Sequence, residues 1–172
     1  MGTGFDSRAI ICLGCQIAGK TTIPITARHR IGSVAETHIH KNLADKRKEI
    51  QAYIGSLERD LEQARASRAD GRHEWACFAA QQAAEMAVKA LHLAAGQEAW
   101  GHVVARLIAD LPFAAGDLSD KGKVLDNFYV ATRYANGHPE GAPFEHYGPI
   151  QSEQAIQYAG EIVEFVCARL AQ

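Results

Sequence analysis

Sulfur and proline are scarce in this chain. It has two methionines, four cysteines and five prolines in 172 residues. Cys12, Cys15, Cys77 and Cys167 are too few and too scattered to make a disulfide framework for a chain this long. Cys77 and Cys167 fall within helical apolar patterns and read as reduced core residues. No apolar run reaches the length of a membrane span, so no membrane partner is expected. The first residues have no basic stretch followed by a long apolar one, which argues against a secretory signal. A cytoplasmic protein is the expectation. There is also no excess of positive charge: the net charge is −2. Residues 41–172 carry fourteen Lys/Arg against eighteen Asp/Glu, which argues against a broad nucleic-acid-coating surface. No internal repeat is visible.

What is present divides into two unlike parts. Residues 1–40 hold turn formers and β-branched residues with no sustained period, and read as an irregular N-terminal arm. Within them GCQIAGKT, Gly14 to Thr21, matches the phosphate-loop pattern G-x-x-x-x-G-K-[ST]. A working phosphate loop needs a following helix and a parallel sheet. Pro24 breaks any helix four residues past Lys20, and everything downstream is helical. The match reads as chance. Cys12 and Cys15 form a C-x-x-C, with His29, His38 and His40 further on, but the His spacings do not fit a zinc finger. No metal and no cofactor are expected.

From residue 41 to 172 the periodicity predicts an all-α, antiparallel up-and-down bundle of about five helices. The first spans about Asn42 to Ala66, with Leu43, Ile50, Ile54, Leu57, Leu61 and Ala64 at helical spacing. The second spans His73 to Ala94 and is rich in alanine. A short third covers His102 to Leu111. The fourth runs from Ser119 to Tyr134 and stops at Asn136-Gly137. The last starts at Ser152, read as its N-cap, and ends at Leu170.

Three stretches carry candidate chemistry. In FAAQQAAEMAVKAL, Gln82, Glu85 and Lys89 fall close to one helix face. Glu85 and Lys89 have the spacing of an i,i+4 ion pair. This is either a solvated stripe or the lining of a site. In GHVVARLIADLP, His102 opens the short helix, as a local cap or as a site residue. In LDNFYVATRYANGHPEGAPFEHY, Arg133 and His138 are five apart, which would separate them by about 140° on a continuous helix. A turn at Asn136-Gly137 could bring them together. An imidazole can move a proton to or from a ribose hydroxyl or a leaving oxygen. A guanidinium can hold the scissile phosphate and stabilise developing charge without a metal.

Together, Q-A-A-E-x-x-x-K-A-L at Gln82–Leu91, Gly101-His102, L-D-x-F-Y-x-x-T-R-Y at Leu125–Tyr134 and P-E-G-A-P-x-x-x-Y at Pro139–Tyr147 resemble the HEPN family of small helical domains. The resemblance covers about Tyr53 to Leu170. It implies a helical bundle that commonly forms a homodimer. In members with an R-x4–6-H motif it implies a metal-independent ribonuclease, often the toxin of a toxin–antitoxin or defence pair beside a minimal nucleotidyltransferase antitoxin. Carried over by position, Arg133 and His138 would be the catalytic pair. Gln82, Glu85, Lys89, His102 and Tyr134 would line or brace the site. Other members lack the histidine and are regarded as modules binding nucleotide, RNA or a partner. The R-Y pair at Arg133-Tyr134 is typical of that second branch, and Glu140 stands where some toxin members carry a tyrosine.

Overall fold

The computed structural model describes the backbone of residues 33–172 and the side chains of residues 43–172. The phosphate-loop pattern, Cys12, Cys15 and His29 lie outside the described residues, as do the side chains of His38 and His40. The elements are α1 (Ser33–Ala69), α2 (His73–Ala94), α3 (Val104–Ala109), α4 (Leu118–Asp126), α5 (Phe128–Ala131) and α6 (Pro149–Leu170). Two short 3-10 turns, Ala135–Gly137 and Pro143–Glu145, lie between α5 and α6. The described residues form helices and turns and no strand. This is the expected all-α bundle, with α5 as a continuation of α4 beyond a break at Asn127.

Helix α2 is the axis of the bundle, packed against α1 on one side and α6 on the other. Its composition explains why. Ala76, Ala80, Ala83, Ala84, Ala87 and Ala90 are fully buried. A helix faced with methyl groups lets its neighbours approach closely and loses no side-chain entropy on burial. The neighbours supply the bulk: Leu57 and Leu61 from α1, Leu125 from α4, and Ile162, Val163 and Val166 from α6. Lys121 ties α4 to α6, with its ammonium 2.7 Å from Asp117 and 2.5 Å from Glu161.

The helix limits depart from the sequence reading in four places. Helix α1 starts at Ser33, nine residues before Asn42, and no glycine or proline interrupts the chain from Ser33 to Ile54. Helix α3 is shorter than expected, and its cap is remote. Asp126 at the end of α4 accepts the Val104 N–H at 2.6 Å and the Ala105 N–H at 3.1 Å. A carboxylate there satisfies two free amides and the positive end of the helix. The fourth helix breaks at Asn127, whose N–H turns to the Val124 carbonyl and whose side-chain amide donates to the Lys123 carbonyl. Helix α6 starts at Pro149, the residue type favoured at a first helical position. Ser152 is fully buried inside it, donating to the Pro149 carbonyl and accepting from His73 Nδ1–H at 2.9 Å.

Two glycines should respond in opposite directions to alanine. A Cβ on Gly122 would stand 2.9 Å from the Ala105 backbone, where α4 crosses α3. Gly122→Ala is therefore expected to cost about 1–3 kcal/mol by overpacking. A Cβ on Gly55 in α1 would meet nothing within 4 Å, so Gly55→Ala should stabilise by about 0.5–1 kcal/mol through helix propensity. Urea unfolding of both variants against wild type reads the two signs.

Candidate functional site

The centre of the site is a carboxylate with almost no access to water. Glu85 lies on α2 with its side chain 1% exposed. Its Oε1 accepts from Lys89 Nζ at 2.8 Å and from His102 Nδ1 at 3.0 Å. Its Oε2 accepts from the side-chain amides of Gln81 at 3.3 Å and Gln82 at 3.5 Å. Lys89 is one helical turn away, so the i,i+4 spacing delivers the pair directly. His102 comes from the loop after α2. There Gly101, at φ +94, takes a backbone conformation that L side chains rarely adopt. Gln81 pins that loop by donating to the His102 carbonyl at 3.1 Å. The Gln82–Glu85–Lys89 pattern is thus built on a buried carboxylate with two partly buried partners rather than a solvated stripe. A charge can be buried here because every donor is supplied.

The histidine carries the network to the surface. A carboxylate only accepts, so His102 Nδ1 carries the proton and Nε2 is left on the outer side of a half-exposed ring. The ring stacks on Tyr129, with centroids 4.7 Å apart and planes at 14°. The other neighbour of Tyr129 is Arg133. Arg133 donates from Nε and Nη2 to the Tyr129 carbonyl at 3.1 and 2.8 Å. Its guanidinium lies 4.4 Å from the Phe78 ring centre, 5.0 Å from that of Tyr129 and 5.3 Å from that of Tyr134. Trp75, 47% exposed, meets Phe78 edge-on. The result is a continuous aromatic strip running from His102 to Trp75, with one cation in its middle.

His138 belongs to a different group. Its Nε2–H donates to the Ala131 carbonyl at 2.8 Å. Its ring lies parallel to His146, 4.0 Å away, and edge-on to Tyr147. His146 in turn donates to the Glu140 carbonyl. Among the described residues no hydrogen bond or ring contact joins His138 to Arg133. Of the residues singled out in the sequence, Gln82, Glu85, Lys89 and His102 form one network. Arg133 reaches it through Tyr129, Tyr134 joins through Arg133, and His138 sits in the histidine stack.

Sequence reasoning passed over Gln81, Tyr129 and His146 as site residues. Gln81 is buried because helix phase turns it inward, a signal that a pair of adjacent glutamines does not carry. Tyr129 could have been found from its i,i+4 relation to Arg133.

Two cavities flank Glu85. A groove of about 940 Å³ opens past Lys89 and His102, with Glu49, Tyr53 and Trp100 in its walls. A cleft of about 360 Å³ lies between α1 and α2, reached from Glu85 through Gln82. The Glu85 charge is felt on the acidic side chains nearby. Burial, and then Glu85, hold the Asp60 carboxyl above the usual range. Burial also raises that of Asp126, against the hydrogen bonds from Ala105 and Val104, and Glu85 adds to the rise. Cys77, buried in α2, has its thiol pushed up to about 12, mainly by burial. Among the described residues no group of three or more His, Cys, Asp or Glu is placed to share a metal ion. No described helix is long and apolar enough to cross a membrane.

The HEPN domain profile matches residues 50–170. Three solved structures are similar over the same body. TT1696 of Thermus thermophilus is 44% identical, with a TM-score of 0.66 over 68% of this chain and 94% of that one. ST0689, an archaeal HEPN homologue, is 36% identical, with a TM-score of 0.62 over 70% and 97%. A HEPN domain protein of Thermotoga maritima is 31% identical, with a TM-score of 0.56 over 70% and 98%. No curated protein matches.

Glu85→Ala leaves the Lys89 ammonium without its carboxylate, and should cost about 3–5 kcal/mol in urea unfolding. The milder Glu85→Gln should lower the pKa of Asp60 and Asp126, read by carboxyl NMR titration. Their raised values mean that both bind protons more tightly folded than unfolded. Each therefore makes the fold less stable as pH rises from the ordinary value of about 4 through the raised one. Glu85→Gln should shrink that loss.

Proposed function

The chain belongs to the HEPN domain family, and from that premise we propose that it is a binding module for nucleotides or single-stranded RNA, and not a ribonuclease acting through Arg133 and His138. The observation that carries this reading is the setting of Arg133. Its guanidinium is framed by Phe78, Tyr129 and Tyr134, and two of its nitrogens are fixed by one carbonyl. A cation among aromatic rings suits a nucleic-acid strand, because bases stack on the rings while the cation meets a phosphate. Base stacking on such rings is worth about 1–3 kcal/mol per base and is tolerant of sequence. Catalysis would need an imidazole and a guanidinium on the same phosphate. His138 instead spends its Nε2 proton on a backbone carbonyl and its ring face on His146. The mildly acidic body also fits a local site better than a coating surface.

Fluorescence anisotropy with labelled single-stranded RNA tests the reading. Wild type should bind, Arg133→Ala should bind at least about tenfold more weakly, a loss of about 1.4 kcal/mol, and His138→Ala should bind like wild type. The same RNA incubated with the protein in EDTA should stay intact. Cleavage in EDTA that disappears in both Arg133→Ala and His138→Ala would overturn the proposal in favour of a metal-independent ribonuclease.

A further inference from the structure

The cleft between α1 and α2 has a composition that the polar network around Glu85 does not account for. Its α1 wall is Asp60, Gln63 and Ser67 and its α2 wall is Trp75, Phe78 and Gln82, with Ala79 beside them and Asp70 and Arg72 of the connecting turn closing one end. Both sets follow the spacing i, i+3, i+7, so each is one stripe of its helix. The two helices run antiparallel through the turn after Ala69. Asp60 therefore stands level with Gln82 at one end, and Ser67 level with Trp75 at the other. The polar wall faces the aromatic one across about 360 Å³, within the range of small-ligand sites.

The polar groups of this cleft have unused capacity. Gln63 donates to Ser67 Oγ at 2.9 Å, which orients its amide and leaves its carbonyl oxygen free. Gln82 spends its NH2 on Gln81 and Glu85, and its carbonyl oxygen accepts nothing from the described residues. Asp60 is half-buried, and no described donor reaches its carboxylate. A carboxylate removed from water without a donor is unfavourable, and its raised pKa agrees with that environment. An ionised carboxylate can only accept, so a ligand group that pairs with Asp60 must bring donors.

We infer that this cleft binds a guanine base, stacked against Phe78 on the side toward Trp75, with Asp60 accepting from its N1–H and N2–H groups. Guanine is the one common nucleobase with two adjacent donors on its pairing edge. Adenine, cytosine and uracil each set an acceptor beside a single donor, and that acceptor would oppose the carboxylate. The neighbouring Arg133, 4.4 Å from the centre of the Phe78 ring, is placed to meet the phosphate of the same nucleotide. The inference rests on the nucleotide-binding reading above and adds which base is read and by which residue.

The chain has two tryptophans, Trp75 and Trp100, so Trp100→Phe leaves Trp75 as the single reporter in the cleft. Titration of that variant with GMP, AMP, CMP and UMP should quench Trp75 most readily with GMP, with at least about tenfold preference over the other three. Asp60→Asn in the same background keeps the shape but replaces one acceptor with a donor. It should erase the preference while circular dichroism stays unchanged and the melting temperature does not fall. Equal binding of all four nucleotides, indifferent to Asp60→Asn, would overturn the guanine assignment and leave the binding module standing. RNA binding with no response at Trp75 would place the base elsewhere and overturn it too. Absence of both RNA and nucleotide binding would remove the proposed function together with this inference.

Discussion

One buried carboxylate organises this molecule. Glu85 sits on the central helix, where its alanine neighbours let α1 and α6 close in and shut out water. A charge in that position has to be surrounded by donors. Lys89 and the two glutamines come from its own helix, and His102 comes from the loop beyond it. The loop from Ala95 to Val103 has no regular structure of its own, and the hydrogen bonds to His102 anchor its far end. The position of Tyr129 against His102, and of Arg133 against Tyr129, then follows by contact. The candidate site is in this sense the outer edge of the arrangement that surrounds Glu85 with donors inside the bundle.

Much of the fold was legible because its signals are local. The limits of α2 follow from Asp70-Gly71 before it and Gly96 after it, and the apolar stripes of α1 and α6 have plain helical periods. Some of the departures involve information that a local pattern lacks, and others a local signal that a stronger-looking one hid. Asp126 caps a helix that begins 22 residues before it, so α3 starts where a remote carboxylate meets it and not where a nearby capping residue stands. Ser152 has the chemistry of an N-cap, yet it is buried against His73, because Pro149 is the better start.

The site was legible in composition and less so in arrangement. Spacing alone puts Glu85 and Lys89 together, since one helical turn separates them. Spacing cannot say that the pair is buried, because that depends on what packs over it. Arg133 and His138 show the opposite difficulty. Five residues apart and separated by an Asn-Gly turn, they could have met or parted. The carbonyls of Tyr129 and Ala131, together with the parallel ring of His146, hold each in its own place. None of those three partners is marked by residue type.

The remote cap has a consequence for the order of assembly. Six residues are too few to hold a helix alone in water, where isolated helices shorter than about 12–15 residues are marginal. Helix α3 therefore forms when Asp126 arrives, that is, when α4 docks against α2 and α6. His102 lies two residues before the first helical residue of α3, so its approach to Glu85 belongs to the same event. Until then the carboxylate has only the partners that its own helix carries, Lys89 and the two glutamines. The histidine is the last donor to reach it, which makes completion of the polar centre a late step in folding and its opening an early one in unfolding.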